Sequence, residues 1–330
     1  MVKETSTLQK PGLQTLDLQT TGQKRFNVLR LSLTRKCNFN CIYCTEPEAK
    51  NISQKQDKTD KRISIRELLL RVKYLHKQNH FRKIRITGGE PLLIPGIVDC
   101  VSEIKSFGIS EVHMTTNGAD LAKFAYRLKH AGLSGVNVSL DAIDSKRYNT
   151  ITGTDKLKSV LKGIADAQEA GLTVKVNAVL LKGMNETEIL PLFEYASANN
   201  IEIRFLEFMN AISADTDLFL PMAVALQKIQ SQFDIKKIGT DGNETCEKWI
   251  TEQGYQFGFI ANTSSPFCEK CDRLRMDSGG SLYGCIGATE SISTGGVAPA
   301  KYGELLETAM LQKNSKYFGG IGPDMRSIGG

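Results

Sequence analysis

Six short runs rich in apolar and β-branched residues, separated by stretches of helical spacing, restrict this chain to an alternating β/α architecture. The runs are Val28 to Leu33, Lys83 to Thr87, Val112 to Thr116, Val136 to Leu140, Val174 to Leu181 and Ile203 to Phe208. Helices are predicted between them at Ser64 to Asn79, Ile97 to Phe107, Asp120 to Ala131, Lys156 to Ala170 and Glu186 to Asn199. Each run is broken mainly by single charged or small polar residues, the pattern expected of strands buried on both faces. Such alternation implies a parallel sheet with crossover helices, either an open doubly wound sheet or a partial barrel. Past about Ala214 the rhythm stops. A helix is predicted over Met222 to Phe233, then strand-like runs at Tyr255 to Ile260 and Leu282 to Cys285. The organisation expected is a polar arm over 1–25, an α/β unit over 26–215 and a smaller irregular unit over 216–330.

The 330 residues carry 42 Lys plus Arg against 36 Asp plus Glu, a net charge of +6. That surplus suits an anionic small ligand and is too small to indicate nucleic-acid binding. No apolar run is long enough for a membrane span, and the first 25 residues lack the apolar core of a secretory signal. A cytoplasmic location is therefore expected, where thiols stay reduced and closely spaced cysteines favour metal over disulfide.

Six of the eight cysteines form two triplets, Cys37-x3-Cys41-x2-Cys44 and Cys268-x2-Cys271-x13-Cys285. A cubane iron–sulfur cluster normally takes four thiolates, so a three-cysteine site leaves one iron open to an outside ligand. The alternative is zinc, whose knuckles usually pair to give four ligands; for the second triplet the fourth would be Cys246 or one of His76, His80, His113 and His130. Cys100 falls on a helix face with Ile97, Val101 and Ile104 and is expected in the core. Polar and glycine signals gather where strands end, at Thr87-Gly88-Gly89-Glu90-Pro91, Thr115-Thr116-Asn117-Gly118 and Ser139-Leu140-Asp141. Active sites of α/β sheets and barrels lie on that rim. Arg273 and Arg275 share one face if their segment is extended, and guanidinium groups suit a triphosphate.

The first triplet with Tyr43, followed by Gly88-Gly89-Glu90-Pro91, resembles the radical S-adenosylmethionine superfamily. Arg85 to Pro91, Thr115 to Gly118, Asn137 to Asp141, Ile203 to Met209 and Phe267 to Arg275 are similar to the branch of that family that cyclises GTP for molybdenum cofactor biosynthesis. The resemblance runs from about Val28 to Gly330. It implies an incomplete (β/α)6 TIM-type barrel with a small C-terminal α+β domain carrying a second iron–sulfur cluster. It further implies two [4Fe-4S] clusters, one on Cys37, Cys41 and Cys44 and one on Cys268, Cys271 and Cys285. S-Adenosyl-L-methionine would meet Tyr43, Gly89, Ser139 and Met209. GTP would meet Arg30, Arg85, Thr115, Lys175, Arg204, Arg273, Leu274 and Arg275. Arg273, Arg275 and the terminal Gly329 and Gly330 are the implied catalytic positions. Implied partners are a flavodoxin-like electron donor, a second copy in a homodimer and a downstream pyranopterin-forming enzyme, with no nucleic acid and no membrane.

Two other classes compete. A two-cluster peptide-modifying maturase of the same superfamily usually carries more C-terminal cysteines, and a non-enzymatic iron–sulfur or zinc scaffold leaves the Gly-Gly-Glu-Pro rim without a purpose. The chain departs from the resembled pattern at Thr45-Glu46-Pro47, at Ile286-Gly287 and between Asn210 and Leu218.

Overall fold

The computed structural model describes residues 25–44, 63–209, 218–239, 245–266, 268–314 and 328. Residues 1–24 of the predicted arm, the departures at 45–47 and 210–217, and Gly329 and Gly330 lie outside the described residues.

All six predicted strands form: β1 (Val28–Ser32), β2 (Lys83–Thr87), β3 (Glu111–Thr116), β4 (Gly135–Ser139), β5 (Thr173–Leu180) and β6 (Glu202–Glu207). Helices α1 (Ile65–Asn79), α2 (Ile97–Ser106), α3 (Leu121–His130), α4 (Ser145–Thr152), α5 (Leu157–Glu169) and α6 (Ile189–Ala198) connect them. Helix α1 starts at Ser64, whose hydroxyl accepts from Glu67 N at 3.1 Å. Helix α4 is not among the predicted helices. Asp144 caps it by accepting from Arg147 N at 2.8 Å, and Gly153 ends it in a left-handed turn.

The later chain adds α7 (Met222–Gln230), β7 (Ile235–Ile238), β8 (Glu247–Thr251), β9 (Gln256–Ile260), β10 (Arg273–Met276), β11 (Ser281–Tyr283), β12 (Ile292–Ser293) and α8 (Tyr302–Leu311). Its strands join the same sheet, which among the described residues has twelve strands in the order β12-β11-β10-β1-β2-β3-β4-β5-β6-β9-β8-β7. Strand β10 runs parallel to β1 and β9 parallel to β6, so the parallel run is extended at both edges by residues beyond 216.

The strands are not apolar on both faces. Leu29 and Leu31, Ile84 and Ile86, Val112 and Met114, Val136 and Val138, and Ile203 and Phe205 are buried in one core with Leu68, Leu69, Val72 and Leu75 of α1. The alternate residues, Arg30, Arg85, His113, Asn137, Lys175 and Arg204 among them, line a single cavity of about 920 Å³. Inward side chains of β1 to β6 and β10 can meet round one space only if the sheet curls, which is the partial-barrel arrangement. No helix of the described residues is long and apolar enough to cross a membrane.

Candidate active site

The chain leaves β1 and folds back across the end of β2. Gly89 N donates to Thr34 O at 2.6 Å and Glu90 N to Lys36 O at 2.8 Å, which docks the Gly-Gly-Glu turn against the start of the first cysteine loop. A Cβ on Gly89 would overlap the Lys36 and Arg35 carbonyls, so only glycine permits this approach. From the other side, Asn40 N and Ile42 N donate to Thr152 O and Ile151 O at 3.0 Å, so α4 holds the loop. Cys37, Cys41 and Cys44 face the cavity, half-buried and in no disulfide. Burial, then the charge of Asp141, pushes the Cys41 thiol well above its usual range. Tyr43 donates its hydroxyl to Asp141 Oδ2 at 2.8 Å, and Val179 N donates to Oδ1 at 2.8 Å. Burial raises that carboxyl to about 6.

Glu90 is 1% exposed and accepts from Leu92 N at 3.0 Å, Thr116 Oγ1 at 2.7 Å and Asn117 N at 2.7 Å. Burial pushes it up to about 7 despite these donors. A carboxyl in the unfolded chain titrates near 4.3, so between about pH 4.5 and pH 7 the native state holds a proton that the unfolded state has lost. Stability therefore falls as pH rises through that window, by about 3 kcal/mol from this group. The urea midpoint is expected to drop across it, and less steeply in Glu90→Gln; equal slopes would reject the assignment.

Register lines up the cavity's polar side chains strand by strand, with three arginines adjacent. Arg275, Arg30, Arg85 and His113 are neighbours across β10, β1, β2 and β3, and Thr115, Asn137, Lys175 and Glu202 across β3 to β6. Burial, then Arg275, Arg85, Arg273 and Arg204, drives the Arg30 guanidinium well below its usual range. Burial and the neighbouring guanidiniums likewise bring Arg85 and Arg275 down to about 9. Arg204 Nη2 donates to Asn137 Oδ1 at 2.8 Å, and Lys175 pairs with Glu202 at 2.6 Å. Buried polar atoms on Arg85 Nε, Thr115 Oγ1, Asn137 Nδ2 and Asn177 Oδ1 have no hydrogen-bond partner among the described residues. Buried polar groups left open beside mutually repelling cations fit a polyanionic ligand.

The second triplet lies at the other end of the same parallel pair. Cys271 precedes β10, whose first residue Arg273 sits beside Val28 of β1, while Cys37 follows the far end of β1. The arginines lie between the two triplets. Burial alone would raise the Cys271 thiol, but Arg273 and Lys313 bring it down to about 6. Burial lowers the Lys313 ammonium, against the pull of the Cys271 thiolate. Arg275 Nη1 donates to Ile328 O at 3.1 Å.

The cavity thus gathers Tyr43, Gly89, Ser139, Met209, Arg30, Arg85, Thr115, Lys175, Arg204, Arg273, Arg275 and all six triplet cysteines. Leu274 is the exception: it alternates with the two arginines, so its side chain points into the core at 0% exposure. Sequence reasoning missed Lys83, Asn177 and Lys313, and noted Asn137 and Asp141 only within motif strings, without a role; Lys83 and Asn177 each lie two residues from a predicted cation of their own strand, Arg85 and Lys175, and that spacing was the available signal. Among the described residues, no three His, Cys, Asp or Glu side chains converge on a point suited to a single metal ion. Each triplet presents sulfur donors alone, a soft set that suits iron–sulfur ligation better than a hard cation. Cys100 is a core residue of α2, and Cys246 is buried against Gly258 beside the cavity.

Comparison with known proteins agrees with this geometry. The radical SAM superfamily pattern matches residues 31–196, and that of Molybdenum Cofactor Synthesis C matches residues 201–318. A GTP 3′,8-cyclase of Staphylococcus haemolyticus is 35% identical over 302 residues, 88% of this chain and 88% of the relative. One of Campylobacter jejuni is 36% identical over 274 residues, 82% of this chain and 83% of the relative. Among solved structures, Streptococcus suis SuiB bound to S-adenosylmethionine superposes with a TM-score of 0.60 at 14% identity, over 92% of this chain and 68% of that one. That likeness is one of fold.

Proposed function

This chain belongs to the radical S-adenosylmethionine superfamily and, within it, to the GTP 3′,8-cyclase family, and from that premise we infer that it converts GTP to 3′,8-cyclo-7,8-dihydro-GTP, the first step of molybdenum cofactor biosynthesis. The observation that carries the inference is the run of guanidiniums, Arg30, Arg204 and Arg275 buried and Arg85 and Arg273 half-buried, in one cavity with two cysteine triplets. When bound, S-adenosylmethionine and its cluster would supply the radical chemistry that removes hydrogen from C3′ of GTP and lets the sugar close on C8 of the guanine.

The remaining work falls to the chain. Cys37, Cys41 and Cys44 would hold the cluster that serves S-adenosylmethionine, with Tyr43, Gly89, Ser139 and Met209 around that ligand. Asp141 orients Tyr43 by accepting its hydroxyl. Arg30, Arg85, Arg204, Arg273 and Arg275 would neutralise the triphosphate, joined by Lys175 and the hydroxyl of Thr115. Lys175 would have to leave or share Glu202 to do so. Cys268, Cys271 and Cys285 would hold the second cluster, a reading the thiolate-only donor set supports, and three thiolates would leave it able to take a donor from the guanine. Enclosure by the curled sheet keeps water and stray hydrogen donors from a radical. A flavodoxin-like reductant, a homodimer and a pyranopterin-forming enzyme downstream complete the reading.

The test is anaerobic turnover of the iron-reconstituted chain with dithionite, S-adenosylmethionine and GTP, scoring 5′-deoxyadenosine and cyclised nucleotide together by mass spectrometry. Both products are expected. Deoxyadenosine without cyclised GTP would retain the radical enzyme and reject this substrate. Neither product, from protein holding about eight irons as two cubanes require, would reject the enzyme.

A further inference from the structure

Helix α8 ends where the second cysteine triplet closes. Gly284, just before Cys285, packs so tightly against α8 that a Cβ there would overlap the Ala309 carbonyl. Gly284 N donates to Gln312 Oε1 at 2.6 Å, and Gln312 Nε2 donates to Glu290 O at 3.0 Å, so one side chain grips both sides of the loop that carries Cys285. The next residue reaches the other half of the triplet. Lys313 Nζ donates to Cys271 Sγ at 3.0 Å and stands 5.7 Å from the centre of the Phe26 ring. A surface lysine would swing its ammonium into water, whereas Lys313 is half-buried and lines the cavity beside Arg273. The single turn Gln312–Asn314 therefore joins Cys285, through Gln312, to Cys271, through Lys313.

We propose that Lys313 is a positioning residue of the second iron–sulfur site, holding the Cys271 sulfur and setting the reduction potential of the cluster bound there. The inference rests on the reading of the second triplet as a cluster site. Reduction adds one electron and no proton, so the cluster becomes more negative by one charge. A fixed cation on a ligand sulfur favours that state, and hydrogen bonds to the sulfurs together with net charge are what tune such potentials. Removing the ammonium makes the cluster harder to reduce.

The experiment uses the full-length chain with Cys37, Cys41 and Cys44 replaced by alanine, so that only the second site can load, and follows iron content and an anaerobic redox titration by electron paramagnetic resonance. The parent is expected to hold about four irons. Lys313→Met should shift the one-electron equilibrium at least tenfold toward the oxidised cluster, about 59 mV more negative, and Lys313→Arg should stay close to the parent. An unchanged potential in Lys313→Met overturns the proposal. If Lys313→Met loses its iron, Lys313→Gln, which keeps a donor without the charge, carries the titration. Loss of iron from both with retention in Lys313→Arg supports the positioning role; loss from Lys313→Arg as well overturns it. A parent that binds no iron overturns the second-cluster reading itself, a different signature from a loaded parent that ignores Lys313.

Discussion

Replacing Arg85 by methionine is expected to weaken GTP binding at least tenfold and, in the nucleotide-free protein, to raise resistance to urea. Both effects come from one charge in one place. Arg85 lies beside Arg30 in the sheet, and burial together with Arg204, Arg273 and Arg275 brings it down to about 9. Phosphate oxygens accept from guanidinium in pairs. Losing one charge-assisted bond costs about 1.5–3 kcal/mol, a ten- to hundredfold rise in Kd. Without nucleotide the same desolvated cation is repelled by Arg204, Arg273 and Arg275 more than it is drawn to Glu111, so an apolar replacement of similar length stabilises, by about 1–4 kcal/mol. Affinity and stability therefore move in opposite directions. Equilibrium dialysis with GTP and urea titration of the nucleotide-free chain read the two; if both decrease together, Arg85 is a structural residue rather than a phosphate anchor.

Gly89→Ala is expected to lower iron content from about eight to about four per chain, and to abolish 5′-deoxyadenosine formation while leaving the barrel folded. The new methyl would meet Lys36 O, Lys36 C and Arg35 O, all backbone atoms, so no side-chain rotation relieves the overlap. The loop must move away, breaking the bonds from Gly89 N to Thr34 O and from Glu90 N to Lys36 O. Lys36 immediately precedes Cys37, so the displacement falls on the first cluster ligand. Gly239→Ala, whose added Cβ meets nothing within 4 Å, is the control and should keep both iron and activity. Full iron and parental deoxyadenosine from Gly89→Ala would show that the cradle is not needed.

Much of this site was legible in the residues. The six predicted strands of the β/α region and the observed ones differ by at most a residue at either end, because a run such as Lys83 to Thr87 carries β-branched residues at Ile84, Ile86 and Thr87 and is bounded by Arg82 and Gly88. Both cysteine triplets announce themselves by spacing. Helix α4 was not legible: Ser145–Thr152 is short and polar, and it is held by the Asp144 cap and by its contact with the cysteine loop. Strands β7, β10 and β12 are too short for their period to show, and β8 opens on the charged pair Glu247 and Lys248; all four form because an existing sheet edge offers partners. Lys313 reads as an ordinary basic residue closing a helix; only the packing of α8 on Gly284 turns it toward Cys271.

By itself the sequence determined the β/α order, the thiolate-only donor sets and the two-residue spacing of the strand cations, since these follow from local propensity and from residue chemistry. Tertiary structure decided what those cations face. A period of two makes Arg30, Lys83, Arg85, Asn137 and Lys175 share a side of the sheet, but that side can be solvent, core or cavity. The sheet curls, and β10 pairs with β1 across more than two hundred residues, bringing Arg273 and Arg275 beside Arg30 and setting the two cysteine triplets at opposite ends of one strand pair. Pairing at that separation depends on which edge remains open once the six β/α units have closed, a property of the whole sheet that no stretch of residues carries alone.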